Sequence, residues 1–148
     1  MNVIIRKMKI EDYDSLYKLW TSTPGMGLNN VDDSKEGIGK YLKRNPNTCF
    51  VAECENKIVG AILTGHDGRR GVISHTTVSQ EVQRQGIGTK LVDTALEALK
   101  QEGISKVLLV VFEKNAKGNS FWEKHGFTTR PDLVYRNKAL KELVRNDT

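Results

Sequence analysis

Between Thr48 and Ser79 the apolar residues recur at every second position, in three runs: TCFVAECE, KIVGAILTGHDG and GVISHTTVS. Successive side chains of a strand point to opposite faces, so this period predicts three strands. They are separated by Glu55-Asn56 and by Asp67-Gly68-Arg69-Arg70-Gly71, both with turn chemistry, and an antiparallel meander is the economical arrangement. The period then changes. Leu91, Val92, Ala95, Leu96 and Leu99 fall on one helical stripe that Gly103 ends. SKVLLVVFE follows as a continuous apolar run of strand length, which predicts a central strand covered on both faces. A strand at 72–79, a helix at 88–102 and a strand at 106–112 make a parallel crossover, so the sheet is mixed and the class is α/β.

The flanks complete the order. Residues 2–8 read as a strand, and Leu16, Leu19 and Trp20 lie at helical spacing after it. Residues 23–30 hold a proline and two glycines, and no regular element is predicted there. Asp32 or Asp33 caps a second helix through Lys43, with Ile38, Tyr41 and Leu42 as its apolar side. Asn115 to His125 is helical again, Gly126 stops it, and two short strands at 127–130 and 133–138 close the chain. The predicted order is βααβββαβαββ, in one domain over residues 1–143 with a frayed tail at 144–148.

Several classes of function lose support at this level. No window approaches the roughly 18 apolar residues that a membrane helix requires. MNVIIRKMKI lacks the pattern of a secretory leader, so a cytoplasmic location and no membrane partner are expected. Cys49 and Cys54 fall on opposite faces of one strand and read as two free thiols, with no metal or redox role. The net charge of +5 is spread along the chain without interleaved aromatic residues, so it reads as a solvated surface and no nucleic acid is expected.

HTTVSQEVQRQGIGTKL, residues 75–91, carries the strongest functional signal. A strand ends at Val78-Ser79, a loop holds Gly86 and Gly88, and a helix starts there. Unpaired N–H groups at the positive end of a helix dipole suit an anion, and glycine admits a phosphate without a Cβ in its way. Arg84 and Lys90 add positive charge. The Gly-Lys-Ser/Thr closure of a Walker loop and the third glycine of a dinucleotide fingerprint are both missing.

Gln83-x-x-Gly86-x-Gly88 after a strand ending Thr77-Val78, with Asn115 and then Phe121-Trp122-Glu123-Lys124-His125-Gly126-Phe127 downstream, resembles the GNAT superfamily of acyl-CoA-dependent N-acyltransferases. The element order resembles that fold along nearly the whole chain. The resemblance implies acetyl-CoA as co-substrate, its pyrophosphate on the amides of Arg84, Gln85, Gly86, Ile87, Gly88 and Thr89, with Gln83 in the same loop. It implies that the pantetheine arm pairs with backbone groups of Thr76, Thr77 and Val78 where two parallel strands splay, and that Asn115 and Asn119 hold its far part. An extended amide chain does satisfy an exposed strand edge.

The resemblance further implies direct attack of an amine on the thioester, with the Val78 N–H as oxyanion donor. The family's usual general acid is a tyrosine, and this chain has Trp122 there, also against the cofactor. An indole donates a hydrogen bond without giving up its proton, so Trp122 either steadies the sulfur or serves as a wall of the acyl pocket. His75, His66, Asp67 and Glu81 are candidate bases. His75 has a suitable intrinsic range, yet parity turns it from the face of Thr76 and Val78, and a satisfied core or second-rank histidine competes with the catalytic reading. Residues 23–30, Trp20 and the hairpin at 65–71 are expected on the acceptor side, with Asp67 for an ammonium and Arg69 or Arg70 for an anion.

The expected activity is therefore N-acetyl transfer from acetyl-CoA to a primary amine of a small molecule or peptide, without a metal. A non-catalytic CoA-binding sensor or regulatory module is the alternative, kept open by Trp122. A homodimer, paired through an edge strand near the C-terminus, is a further expectation drawn from the resemblance.

Overall fold

A computed structural model describes residues 2–145. Its sheet has five strands in chain order: β1 (Val3–Lys7), β2 (Phe50–Cys54), β3 (Lys57–His66), β4 (Gly71–Val78) and β5 (Val107–Leu108). The first four pair antiparallel, and β5 joins β4 in parallel through the α3 crossover. Helices α1 (Tyr13–Thr21) and α2 (Lys35–Arg44) cover one face; α3 (Ile87–Gln101) and α4 (Ala116–Lys124) pack on the other. The mixed α/β sheet is the one the periodicity predicts.

Alternation along β2 explains the two cores. Cys49 and Val51 join Leu16, Trp20 and Ile38 beneath α1 and α2, while Phe50, Ala52 and Cys54 join Leu91, Val92 and Ala95 beneath α3. Both thiols are free and buried, on opposite sides as parity requires. Trp20, Leu16 and Leu91 have no exposed surface, and burial of such a side chain contributes about 1.5–3 kcal/mol.

Four expectations change. Ser34, not Asp32 or Asp33, caps α2: its Oγ accepts the Gly37 N–H at 3.0 Å. Asp33 is turned inward instead, and its carboxylate accepts the Asn29 N–H at 2.9 Å. β5 is two residues long, and Leu108, Val110 and Phe112 are 49%, 66% and 49% exposed, so the run after Lys106 is not covered on both faces. Beyond Leu108 it has no strand partner among the described residues. Among the described residues 127–138 form no strand; Pro131, which lacks an N–H, sits in a turn where Leu133 donates to the Arg130 carbonyl at 3.2 Å. Finally, Val144 is held: Asn30 donates to its carbonyl at 2.9 Å and its N–H donates to Asn30 Oδ1 at 2.6 Å, while Arg145 bridges Asn29. The rest of the expected frayed tail, 146–148, lies outside the described residues. No helix among the described residues is long and apolar enough to cross a membrane.

Candidate active site

β4 and β5 pair only at Gly71 with Val107 and Val72 with Leu108. From Ile73 onward the two chains diverge, and a cleft of about 560 Å³ opens between residues 73–76 and 109–113. Pro24 and Met26 from the α1–α2 loop, with Trp122 and Tyr135, complete its walls. Ser79 donates to the Val59 carbonyl of β3 at 2.7 Å. Backbone groups alternate sides along a strand, so those of Val78 and Thr76 point away from β3 and toward the gap. The Val78 carbonyl is taken by Gln83 Nε2 at 3.2 Å. Thr76 Oγ1 is buried with no partner. Thr77 faces the other way, opposite Ala61 on β3, and its buried hydroxyl meets Thr23 at 2.9 Å, which ties the α1–α2 loop to β4.

β4 leads through a short turn at Gln80–Val82 to the start of α3. Gly86 is the cap residue at φ 76°, no side chain caps the helix, and its first turn holds no acidic residue. The N–H groups of Ile87, Gly88 and Thr89 therefore lie at the positive end of a 15-residue helix with no side-chain acceptor. Ile87 anchors this end in the core while its amide stays at the helix mouth. Gly88 has a packing use as well. A Cβ there would sit 3.3 Å from the Phe121 ring, so its absence lets α4 approach α3. Arg84, at φ 70°, turns the loop back on itself beside Gln85. Gln83 is a clip, since its Oε1 accepts from Lys117 Nζ at 2.9 Å while its amide holds Val78.

Asn115 and Asn119, at the cap and in the body of α4, both serve the chain itself. Asn115 caps the helix by accepting the Gly118 N–H at 2.9 Å and lines the cleft. Asn119 Nδ2 donates to the Phe112 and Asn115 carbonyls at 3.0 and 2.9 Å, fixing the end of the diverging strand. Trp122 stands edge-on to Phe121 and Phe127, at centroid distances of 5.0 and 5.2 Å, with one side on the cleft. His125 went unassigned in the sequence. Its Nε2 lies 3.2 Å from Thr89 Oγ1, and its ring packs tilted against Phe121 at a centroid distance of 4.4 Å.

The candidate bases separate cleanly. At the hairpin, His66 Nδ1 accepts the Gly68 N–H at 3.0 Å and its Nε2 meets Glu102, just past the C-terminal end of α3. The hairpin at 65–71 is thus remote from the α3 N-terminus and does not line the cleft. Asp67 closes its own turn, accepting the Arg69 and Arg70 N–H groups at 2.8 Å each; bonds from the Arg70 and Arg69 amides hold its carboxyl below the ordinary value. Glu81 pairs with Lys57 at 3.3 Å on the surface. His75 alone of the four lines the cleft.

A bulge puts it there. Ala61 pairs with Thr77 and Leu63 with Ser74, so His75 and Thr76 together oppose Ile62. His75 takes φ 42°, a left-handed conformation in which an L-residue is strained. Its ring lies edge-on to Trp20 at 5.1 Å, and its Nε2 is 2.6 Å from Asp33 Oδ1. Parity does turn His75 away from Val78, toward the α1 face, yet that face also borders the cleft. Asp33 was read only as a helix cap, and nothing in its spacing links it to a residue 42 positions away.

Comparison with known proteins agrees with this fold. The family described as Acetyltransferase (GNAT) family matches residues 13–127. An acetyltransferase of Sodalis glossinidius is 27% identical over 93% of this chain and 96% of its own length. One from Photorhabdus laumondii is 31% identical over 75% of this chain and 76% of its own. Among solved structures, the PaiA N-acetyltransferase of Thermoplasma acidophilum in complex with coenzyme A superposes with a TM-score of 0.77 at 22% identity, over 88% of this chain and 92% of that one. The chain belongs to the GNAT family of acetyltransferases.

Proposed function

We propose that the protein transfers the acetyl group of acetyl-CoA to a primary amine of a small molecule or peptide by direct attack. The observation that carries this reading is the succession of two features along the chain: the gap where β4 leaves β5, and the uncapped start of α3 that follows β4. A pantetheine arm would add to the free edge of β4, and the pyrophosphate would take the amides from Arg84 to Thr89. The residues fit such a ligand. The orphaned Thr76 hydroxyl gains a partner from an amide of the arm, and no acidic residue in the first turn opposes the phosphates.

In this reading the Val78 N–H stabilises the oxyanion, and the Trp122 indole N–H steadies the departing sulfur while solvent protonates it. His75 accepts the proton that the ammonium must lose. Asn115 and Asn119 act by shaping the end of the gap, with the Asn115 amide NH₂ left for the arm.

The test is a CoA-release assay over spermidine, lysine, an aminoglycoside and a tripeptide with a free N-terminus, run beside calorimetric titration of acetyl-CoA. Release that depends on one of these amines is the expected result. Failure to bind acetyl-CoA sinks the proposal. Binding without transfer to any of the amines favours the sensor alternative.

A further inference from the structure

The geometry points to Asp33 as the positioning residue that makes His75 a base, the two forming one proton-accepting unit on the floor of the cleft. This rests on the transferase reading above. Asp33 is 4% exposed and comes from the loop before α2, whereas His75 comes from the bulge of β4. Every part of the acid is held. Its Oδ2 accepts the Asn29 N–H at 2.9 Å, its carbonyl accepts the Tyr13 hydroxyl at 2.6 Å, and its Oδ1 faces His75 Nε2 at 2.6 Å. The imidazole is held as firmly, by the left-handed backbone at φ 42° and by the edge of Trp20.

These contacts fix the tautomer. An ionised carboxylate only accepts, so the single hydrogen of a neutral imidazole must sit on Nε2. The lone pair is then on Nδ1, for which no described group is a hydrogen-bond partner, on a side chain that lines the cleft. During transfer Nδ1 takes one proton from R–NH₃⁺, and the amine lone pair forms the C–N bond as the C–S bond breaks. The nitrogen loses its second proton to solvent, the thiolate gains one from solvent, and the imidazolium returns its own. The sum is amide, CoA thiol and one proton released.

Replacing Asp33 by asparagine distinguishes positioning from packing. The Asn29 N–H already points at this side chain and needs an acceptor, so the asparagine oxygen stays on Asn29 and its NH₂ turns to His75. Nε2 must then accept, the hydrogen moves to Nδ1, and the base is blocked with little change of shape. Tyr135 and Glu113, across the cleft, are the other titratable groups that face it, and Trp20 offers none.

The experiment combines long-range proton–nitrogen correlation spectra of the three histidines with steady-state kinetics. His75→Gln assigns the His75 signals, and the amine is the fastest of spermidine, lysine and the tripeptide. Expected are an Nε2–H tautomer in the wild type and Nδ1–H in Asp33→Asn. Activity of Asp33→Asn falls by about 100-fold or more in kcat, with acetyl-CoA affinity unchanged. Asp33→Asn/His75→Gln should be no slower than His75→Gln alone, because the two act as a unit. The acid limb of the wild-type kcat/KM profile should vanish in His75→Gln, and this comparison stands even where Asp33→Asn fails to fold. An Nδ1–H tautomer in the wild type overturns the proposal, as does an unchanged kcat in a folded Asp33→Asn. If none of the amines is acetylated, the transferase reading fails separately, and the tautomer spectra still decide whether Asp33 sets His75.

Discussion

Gly86→Glu should weaken acetyl-CoA binding by about 100-fold or more while leaving the fold in place, and the two effects differ enough in size to separate them. Gly86 sits at φ 76°, and a Cβ there would meet nothing within 4 Å. The variant thus suffers backbone strain without collision, about 1–2 kcal/mol for a left-handed L-residue. A carboxylate at a helix N-terminus returns about 0.3–1 kcal/mol. The net loss is about 1 kcal/mol, or roughly 3 °C in Tm for a chain of this size. Binding is hit harder. A carboxylate about 5 Å from one phosphate charge, at an effective dielectric near 20, costs about 3 kcal/mol. That raises Kd by about 100-fold or more. Gly86→Ala carries the same strain without the charge, and its Kd should rise by less than about tenfold. Isothermal titration with acetyl-CoA, beside thermal melts, reads both quantities. Wild-type affinity in Gly86→Glu, or an equal loss in Gly86→Ala, would refute the phosphate seat at α3.

Three further outcomes follow from single groups. Thr76→Val removes a buried hydroxyl that has no partner, so the free protein should gain about 1 kcal/mol in urea unfolding while acetyl-CoA binds about three- to tenfold more weakly; unchanged affinity would mean that the arm never meets Thr76. Trp122→Phe should lower kcat about tenfold by removing one donor to the anionic sulfur, and Trp122→Tyr should recover the loss; an unchanged rate in Trp122→Phe would leave the indole as a wall only. Burial pushes the Cys49 thiol up from 9.0 to about 12, against a bond donated by the Thr64 N–H, and burial raises Tyr41 as well. Over that interval the unfolded chain has released a proton that the folded chain keeps, so stability is unaffected below about pH 9 and falls as pH rises toward about 12. Urea midpoints across the alkaline range should show that fall, and Cys49→Ser should make it shallower; an equal slope in the variant would place the titration elsewhere.

What the chain discloses by itself depends on how local the cause is. The alternation of Cys49 to Cys54 and the stripe from Leu91 to Leu99 are properties of neighbouring residues, and they gave the sheet, α3 and the two cores. The α3 mouth was equally legible, because strand end, glycine and helix start lie within one short stretch. Helix caps were less so. Asp32, Asp33 and Ser34 are all good N-caps, and only the pull of Asn29 and His75 on Asp33 decides among them. The hairpin at 65–71 misled because its charges look like ligands, whereas Asp67 closes its own turn and His66 meets Glu102, away from the cleft. For residues 109–112 and 127–138 the sequence pattern favours strands, but a strand needs a paired edge, and β5 offers one for only two residues.

The least legible feature is also the one that joins the fold to the site. A bulge is a mismatch between two strands, and no pattern within β4 marks the extra residue; HTT reads as plain alternation. Its effects are several. A bulge bends its strand and increases the local twist, and pairing of β4 with β5 ends at Val72, just before Ser74 and His75. The same irregularity turns His75 onto Trp20 and Asp33 while Val78 keeps its side chain toward the α3 core. One extra residue opposite Ile62 therefore accounts both for where the gap opens and for which side chain stands at its floor. The two effects should separate under substitution: His75→Gly would relax the left-handed backbone at φ 42°, keeping the gap but removing the imidazole. A register of Ile62 against a single residue would close the gap and lose the cofactor as well.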